Sequence, residues 1–211
     1  MRFKNYIWDF DGTLYDTYGA ITTAFLESLK LFGIQATPKE VYQLIKKESA
    51  RFAAEHYVGL EKKQALMRKY QEIEPRLQES PKPFHDARET LESIVQNGGK
   101  NFVLTHRDNT ALEFLKQDGL FHCFTDFVTV ADDFPLKPDP SSILHLMKKH
   151  ELAIDETVMI GDRKLDVLAG KNAEVSAILY DIDGFLGEIP ADFTVHSLAE
   201  ILLIPSCEKE D

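Results

Sequence analysis

The sequence predicts an α/β fold: an open parallel sheet with helices on both faces, its first strand separated from the rest by a helical insertion. Three observations predict it. A buried-looking strand opens the chain in "YIWDF"; the stretch from Thr17 to Ser80 reads as helix throughout; and after "SPKP" helices and short apolar strands alternate. Alternation of this kind indicates parallel strands joined by crossover helices. The chain has 211 residues, enough for one domain plus a sizeable insertion. The expected division is a core of residues 1–16 and 81–211 and a small α-helical cap of residues 17–80.

The first strand covers about Asn5 to Phe10, and "DGTL" breaks it, with Gly12 supplying the turn. From Thr17 to Phe32, Ile21, Phe25, Leu29 and Phe32 recur at helical spacing, and Gly33 stops the run. Thr37-Pro38-Lys39-Glu40 carries a threonine N-cap, a proline at the first helical position and the glutamate of a capping box. Val41, Leu44 and Ile45 give that helix its apolar face. A further helix is expected over Lys62 to Ile73, with Pro75 disturbing its continuation. Phe25, Phe52, Tyr57 and Tyr70 read as packing between these helices. His56 and His85 read as surface or hinge residues, and Tyr15, Asp16 and "SPKP" as hinge segments.

Beyond the linker, "ARETLESIVQNGG" is a helix stopped by glycines, "NFVLTH" a strand, "NTALEFLKQDG" a helix and "FTDFVTV" a strand. "SSILHLMKKH" is a helix, with Asp139-Pro140 as its cap and first residue. "TVMIGD" is a strand, "KLDVLAGKN" a helix, and "VSAILY" and "DFTVHS" the last strands. The tail "PSCEKED" is polar and expected to fray.

A net charge of -11 disfavours phosphate backbones, so nucleic-acid binding is not expected, and an anionic substrate needs a local positive site. No run approaches the roughly 20 apolar residues of a membrane span. The two cysteines, Cys123 and Cys207, match no metal-ligand spacing, and Cys123 reads as a small core residue. With no signal-peptide pattern at the start, a reducing cytoplasm is the expected compartment.

Two carboxylates, Asp9 and Asp11, close a buried strand, a costly placement unless a partner, a proton or a metal compensates. In open parallel sheets the chemistry gathers at the carboxyl ends of the strands. Asp9 and Asp11 end the first strand, Thr105 ends "NFVLT", Asp162 ends "TVMIG" with Asp166 four residues on, and Lys137 lies in the loop after the third strand. Clustered carboxylates suit a hard cation such as Mg²⁺, and a carboxylate nucleophile suits phosphoryl transfer in two steps. Lys137, the Thr105 hydroxyl and the backbone N–H groups of the Asp11-Gly12-Thr13 turn are candidates to carry phosphoryl charge. His106, Arg107 and Arg163 stand beside these residues as candidate substrate contacts.

"DFDGTL", "VLTH", "LKPDP" and "GDRKLD", in that order, resemble the four motifs of the haloacid dehalogenase superfamily, in the form of its phosphoglycolate phosphatase-like branch. The resemblance runs from about Asn5 to Tyr180. It implies a Rossmann-like core with an inserted helical cap and a Mg²⁺-dependent phosphatase acting on a small phosphorylated metabolite through an aspartyl-phosphate. It implies Asp9 as nucleophile and metal ligand, and Asp11 as acid, then base, lending the metal its backbone carbonyl. It further implies Thr105 and Lys137 as phosphoryl-holding groups, Asp162 as metal ligand, and Asp166 as support for the metal or for Lys137. The chain departs from the branch where Glu174 replaces a common glycine and where "PFHDA" replaces a "PG" turn. Rivals on the same scaffold are a sugar-phosphate mutase of the beta-phosphoglucomutase kind, a phosphonate hydrolase using a cap lysine, and a non-catalytic binding or regulatory protein. Among Lys39, Lys46, Lys47, Lys62 and Lys63, none stands in an evidently buried context.

Overall fold

A computed structural model describes residues 1–78 and 80–205; Glu79 and, from 206 on, the expected frayed tail with Cys207 lie outside the described residues. The chain divides into two compact units, one of Met1–Tyr15 with the chain from Pro83 onward, the other Asp16–Lys82.

The first unit holds a six-stranded, all-parallel sheet. Its strands are β1 (Asn5–Trp8), β4 (Lys100–Leu104), β5 (Phe124–Val128), β6 (Thr157–Gly161), β7 (Ser176–Tyr180) and β8 (Phe193–Val195). They lie in the order β5-β4-β1-β6-β7-β8. The order reverses beside β1: the chain first builds outward through β4 and β5, then crosses to β6 on the other flank. In such sheets the crevice at the reversal point is where ligands bind.

Side chains that alternate along β1 explain why both faces are covered. Tyr6 and Trp8 join Val103, Val158 and Ile160 in a core with α4 (Ala87–Gln96) and α5 (Thr110–Gln117), through Leu91, Ile94, Ala111 and Leu115. Ile7 faces the other way, with Phe102, Leu104 and Met159, against Ile143, Leu146 and Met147 of α6 (Ser141–His150) and Ala169 of α7 (Lys164–Asn172). Strands buried on two faces tolerate near-continuous apolar sequence, which is why "YIW" and "VMI" lack a polar position. The β1 register pairs Trp8 with Val103 and with Ile160, so Asp9 stands level with Leu104 and Gly161, and Thr105 and Asp162 emerge one residue further along.

The second unit consists of α1 (Tyr18–Leu31), α2 (Pro38–Lys47) and α3 (Ala50–Leu77). Phe25, Leu29, Val41, Ile45, Ala53, Ala54 and Leu66 form its core. The capping box at the start of α2 is present, with Thr37 Oγ1 accepting from the Glu40 N–H and Glu40 accepting from the Thr37 N–H. Gly33 closes α1 at φ +73°. Short strands β2 (Tyr15–Asp16) and β3 (Lys82–Pro83) pair as a separate two-stranded sheet, so the linker reading of "SPKP" misses a strand.

Four expectations need correction here. The third helix begins at Ala50, capped by the Ser49 hydroxyl, and bends at Gly59, whose φ of +73° interrupts the helical backbone. The helix runs through Pro75 and ends two residues later at Leu77. Phe52 is exposed rather than packed, whereas Phe25 is buried against Tyr57 and Tyr70. Lys46, whose sequence context gives no evident sign of burial, is buried: its ammonium lies 5.4 Å from the Tyr18 ring centroid, 5.7 Å from that of Tyr42 and 3.4 Å from the Tyr42 hydroxyl. Finally, α6 starts at Ser141, and Asp139 acts one residue earlier than a cap would, accepting from the Ser141 N–H at 2.9 Å.

Candidate active site

Asp9 follows β1 directly, and its N–H donates to Ile160 O of β6 at 2.9 Å, which fixes the carboxylate at the carboxyl edge of the sheet. The chain then folds back on itself. Phe10 O accepts from the Leu14 and Tyr15 N–H groups, and the turn passes through Gly12 at φ +79°. Thr105 leaves β4 with its N–H on Val128 O, and Asp162 follows β6. Three strand ends therefore deliver three side chains to one place, all buried.

Lys137 joins them from the loop after β5. Its ammonium lies 2.5 Å from Asp9 Oδ1 and 2.5 Å from Asp166 Oδ1, and it also donates to Leu104 O at 3.3 Å. The loop is held from both sides. His106 Nε2 accepts from the Lys137 N–H at 2.9 Å, and the Asn172 amide donates to Pro138 O at 2.9 Å. Asp166 accepts from the Arg163 N–H at 3.1 Å, so the first turn of α7 orients the carboxylate that faces the lysine. The Thr13 hydroxyl lies 3.5 Å from both Asp9 Oδ2 and Asp162 Oδ1.

Burial governs the electrostatics. It pushes the Asp9 carboxyl up to about 7, with Lys137 opposing it and Asp166 and Asp162 adding to it. Asp166 is held below the usual carboxylate range: burial works against this, but Lys137 and Arg163 outweigh it. The Lys137 ammonium is held above its ordinary value, since Asp166 and Asp9 outweigh its own desolvation. Of Asp9 and Asp166, Asp9 is thus the carboxyl that the protein's cations compensate less. Side-chain oxygens of Asp9, Asp162 and Asp166 lie within 4.8 Å of one another. An all-oxygen, carboxylate-rich donor set of this kind fits a hard divalent cation such as Mg²⁺.

The remaining candidate residues fall into different positions. Asp11 is half-buried, and its carboxylate is gripped by Arg107, whose Nη2 donates to Oδ1 at 2.7 Å and whose Nε lies 3.1 and 3.2 Å from the two oxygens. Arg107, a candidate substrate contact by sequence, therefore fixes Asp11. His106 supports the Lys137 loop. Burial first, then Lys137 and Arg163, pull it down to about 3, so the ring is neutral and its accepting nitrogen is used on the Lys137 loop. The N–H groups of Gly12 and Thr13 donate to Tyr15 O and Phe10 O within the turn, the second at 3.4 Å. Arg163 Nε stands 4.0 Å from Asp162 Oδ1. The Thr105 Oγ1 accepts from the Arg107 N–H at 3.0 Å, which leaves the hydroxyl proton to donate elsewhere.

Gly161 and Asn172 escape sequence reading. A Cβ on Gly161 would fall 2.2 Å from the Asp166 Cβ, so only glycine lets Asp166 sit against the strand end. A glycine closing an otherwise apolar strand was the available signal.

A family model for haloacid dehalogenase-like hydrolases matches residues 6–184. The chain belongs to the haloacid dehalogenase-like hydrolases. Among the relatives of this family member, a phosphoglycolate phosphatase of Vibrio parahaemolyticus is 36% identical over 125 residues, covering 56% of this chain and 54% of the relative. The chain thus matches about half the length of that relative. The pyrophosphatase PpaX of Halalkalibacterium halodurans is 25% identical over 209 residues, covering 96% of each chain. A solved hydrolase structure from Streptococcus pneumoniae aligns with a TM-score of 0.66 and 35% identity, over 97% of this chain and 100% of that one. The curated relatives named by activity here are phosphatases, in keeping with a hydrolase whose strand ends gather carboxylates and a lysine.

Proposed function

We propose that this hydrolase is a Mg²⁺-dependent phosphatase that cleaves a small phosphorylated metabolite through an aspartyl-phosphate on Asp9. The observation that carries the reading is the Lys137 ammonium held between Asp9 and Asp166 beside a third buried carboxylate. Asp9, Asp162 and the backbone carbonyl of Asp11 would hold the metal, with Asp166 close enough to join or support them. The bound ion would supply charge neutralisation at the phosphoryl oxygens and keep Asp9 ionised.

The residues then divide the work. An Asp9 oxygen attacks phosphorus, an O–P bond forms, and the bond to the leaving oxygen breaks. Asp11, oriented by Arg107, gives the leaving oxygen its proton and later takes one from the water that hydrolyses the acyl phosphate. Lys137 and the Thr105 hydroxyl donate to the phosphoryl oxygens as charge moves onto them. The helical unit of residues 17–80 is assigned the role of a cap, which excludes water and selects the substrate. The named activities of the relatives suggest 2-phosphoglycolate and pyrophosphate as first substrates to try.

The test is phosphate release from a panel containing these two, sugar phosphates, nucleoside monophosphates and an aryl phosphate, with Mg²⁺ and with a chelator. Mg²⁺-dependent release that Asp9→Asn abolishes is expected; release insensitive to chelator, or retained in the variant, contradicts the reading.

A further inference from the structure

We propose that Glu92, His122 and Cys123 form a binding site for a transition-metal ion of the zinc class, separate from the aspartate cluster. Cys123 immediately precedes β5, and Thr105 meets Val128 at the far end of that strand. Five strand residues, about 16 Å, therefore separate the two sites.

Three observations carry the proposal. The donor set is one thiol, one imidazole and one carboxylate, whose ligand atoms all lie within 4.8 Å of one another. That mixture suits a borderline-soft ion rather than Mg²⁺. The geometry is of the right size: Cys123 Sγ lies 3.6 Å from His122 Nε2. Bonds of about 2.3 and 2.05 Å at a tetrahedral angle give a sulfur-to-nitrogen edge of about 3.6 Å.

The third observation is that one buried amide fixes both ligand-bearing elements. Asn101 is fully buried, and its Nδ2 donates to Leu91 O, beside Glu92 on α4, and to Cys123 O. Its own Oδ1 accepts from Trp8 Nε1 at 2.9 Å. The main-chain segments that carry Glu92 and Cys123 are thereby held in register without any ion. Arg88 steadies the same turn of helix, donating to Glu92 Oε1 at 3.2 Å and to Asp118 O.

Access is one-sided. Cys123 is buried, Glu92 is half-buried and His122 is exposed, so an ion enters from the His122 side and a water completes the tetrahedron. Burial first, then Glu92, push the Cys123 thiol up, so without an ion it keeps its proton. Coordination releases that proton to solvent, and the thiolate and carboxylate together match a divalent charge. No Cys-x-x-Cys or His-x-x-x-His spacing announces the site, because its ligands come from two segments some 30 residues apart that the fold brings together.

The experiment is a Co²⁺ titration of the whole protein in saturating Mg²⁺, followed in the near ultraviolet. A thiolate-to-cobalt charge-transfer band arises only from a sulfur ligand, so the aspartate cluster is silent. One equivalent of Co²⁺ should give the band, Cys123→Ser should abolish it, and Cys207→Ser should leave it intact. His122→Ala and Glu92→Gln, at partly or fully exposed positions, should weaken Co²⁺ at least tenfold while phosphate release is unchanged. No band in the unaltered protein, a band surviving Cys123→Ser, or unchanged affinity in both His122→Ala and Glu92→Gln overturns the proposal. The last criterion stands even if Cys123→Ser fails to fold.

Discussion

Two lysine–carboxylate pairs stand at opposite ends of the same strand. Before β1, Lys4 meets Glu156 at 2.5 Å; after it, Lys137 meets Asp9 at 2.5 Å. The distances are equal and the consequences are not. The Lys4 and Glu156 side chains are 68% and 37% exposed, those of Lys137 and Asp9 only 1% and 3%. Water and salt screen the first pair, which fastens a strand end and little more. The second has given up its hydration, so its charges depend on one another, and removing either leaves the other stranded. A lysine at the amino edge of this sheet is decoration on the fold, whereas the lysine at the carboxyl edge is part of a buried charge balance.

The largest expected effect comes from breaking the buried pair. Lys137→Met should cost about 3–5 kcal/mol in urea unfolding without added metal and eliminate turnover, because Asp9 and Asp166 lose their shared cation. Next is Gly161→Ala. Its methyl would overlap the Asp166 Cβ and Cγ, so the buried carboxylate must shift; a shift of about 1 Å should lower kcat by about 100-fold, and the overpacking should cost about 1–3 kcal/mol in urea unfolding.

Third is a pH effect. His106 is held near 3 in the folded chain against an ordinary value of 6.5, so the unfolded chain binds the extra proton first. Stability should be full above about 6.5 and fall as pH drops from there toward 3. His106→Gln, which retains an acceptor for the Lys137 N–H, should flatten that limb of the stability profile.

Smaller still is Glu174→Gly. Glu174 sits at φ +61° just after α7, in the left-handed region that favours glycine. Relief of that strain, offset in part by the greater freedom of an unfolded glycine, should raise stability by up to about 1 kcal/mol in thermal or urea unfolding. The smallest effect is Lys4→Ala, for which no measurable change in unfolding midpoint is expected at physiological salt.

Much of the core was legible because its rules are local. The spans of α6 and α7 follow from apolar periodicity bounded by turn residues, and β1, β4 and β6 from short apolar runs. Their polar residues fall at the carboxyl ends because parallel topology leaves them nowhere else to gather. Glu174 was legible as a departure from a glycine, and the backbone angle supplies its physical meaning.

What sequence could not show depends on chain segments far apart. Asp11 and Arg107 are 96 residues apart, and nothing in either stretch announces a two-pronged grip. Lys46 follows Ile45 on a helix and reads as solvated until the Tyr18 and Tyr42 rings are seen around it. The amino-terminal part of α3 lacks a clear apolar stripe, since Phe52 and Leu60 face solvent, so periodicity found only its second half. The Glu92, His122 and Cys123 cluster is of the same kind, made by a helix and a turn that only the sheet brings together.

The most direct test of the aspartyl-phosphate reading is chemical trapping at Asp9. The enzyme, turning over its best substrate with Mg²⁺, is quenched and reduced with borohydride, which converts an acyl phosphate on aspartate to homoserine. Mass spectrometry of the peptide spanning Tyr6–Thr17 should find that conversion at Asp9, dependent on substrate and on Mg²⁺. Vigorous phosphate release with Asp9 unmodified, or with the label at another carboxylate, would contradict the assignment of Asp9 as nucleophile.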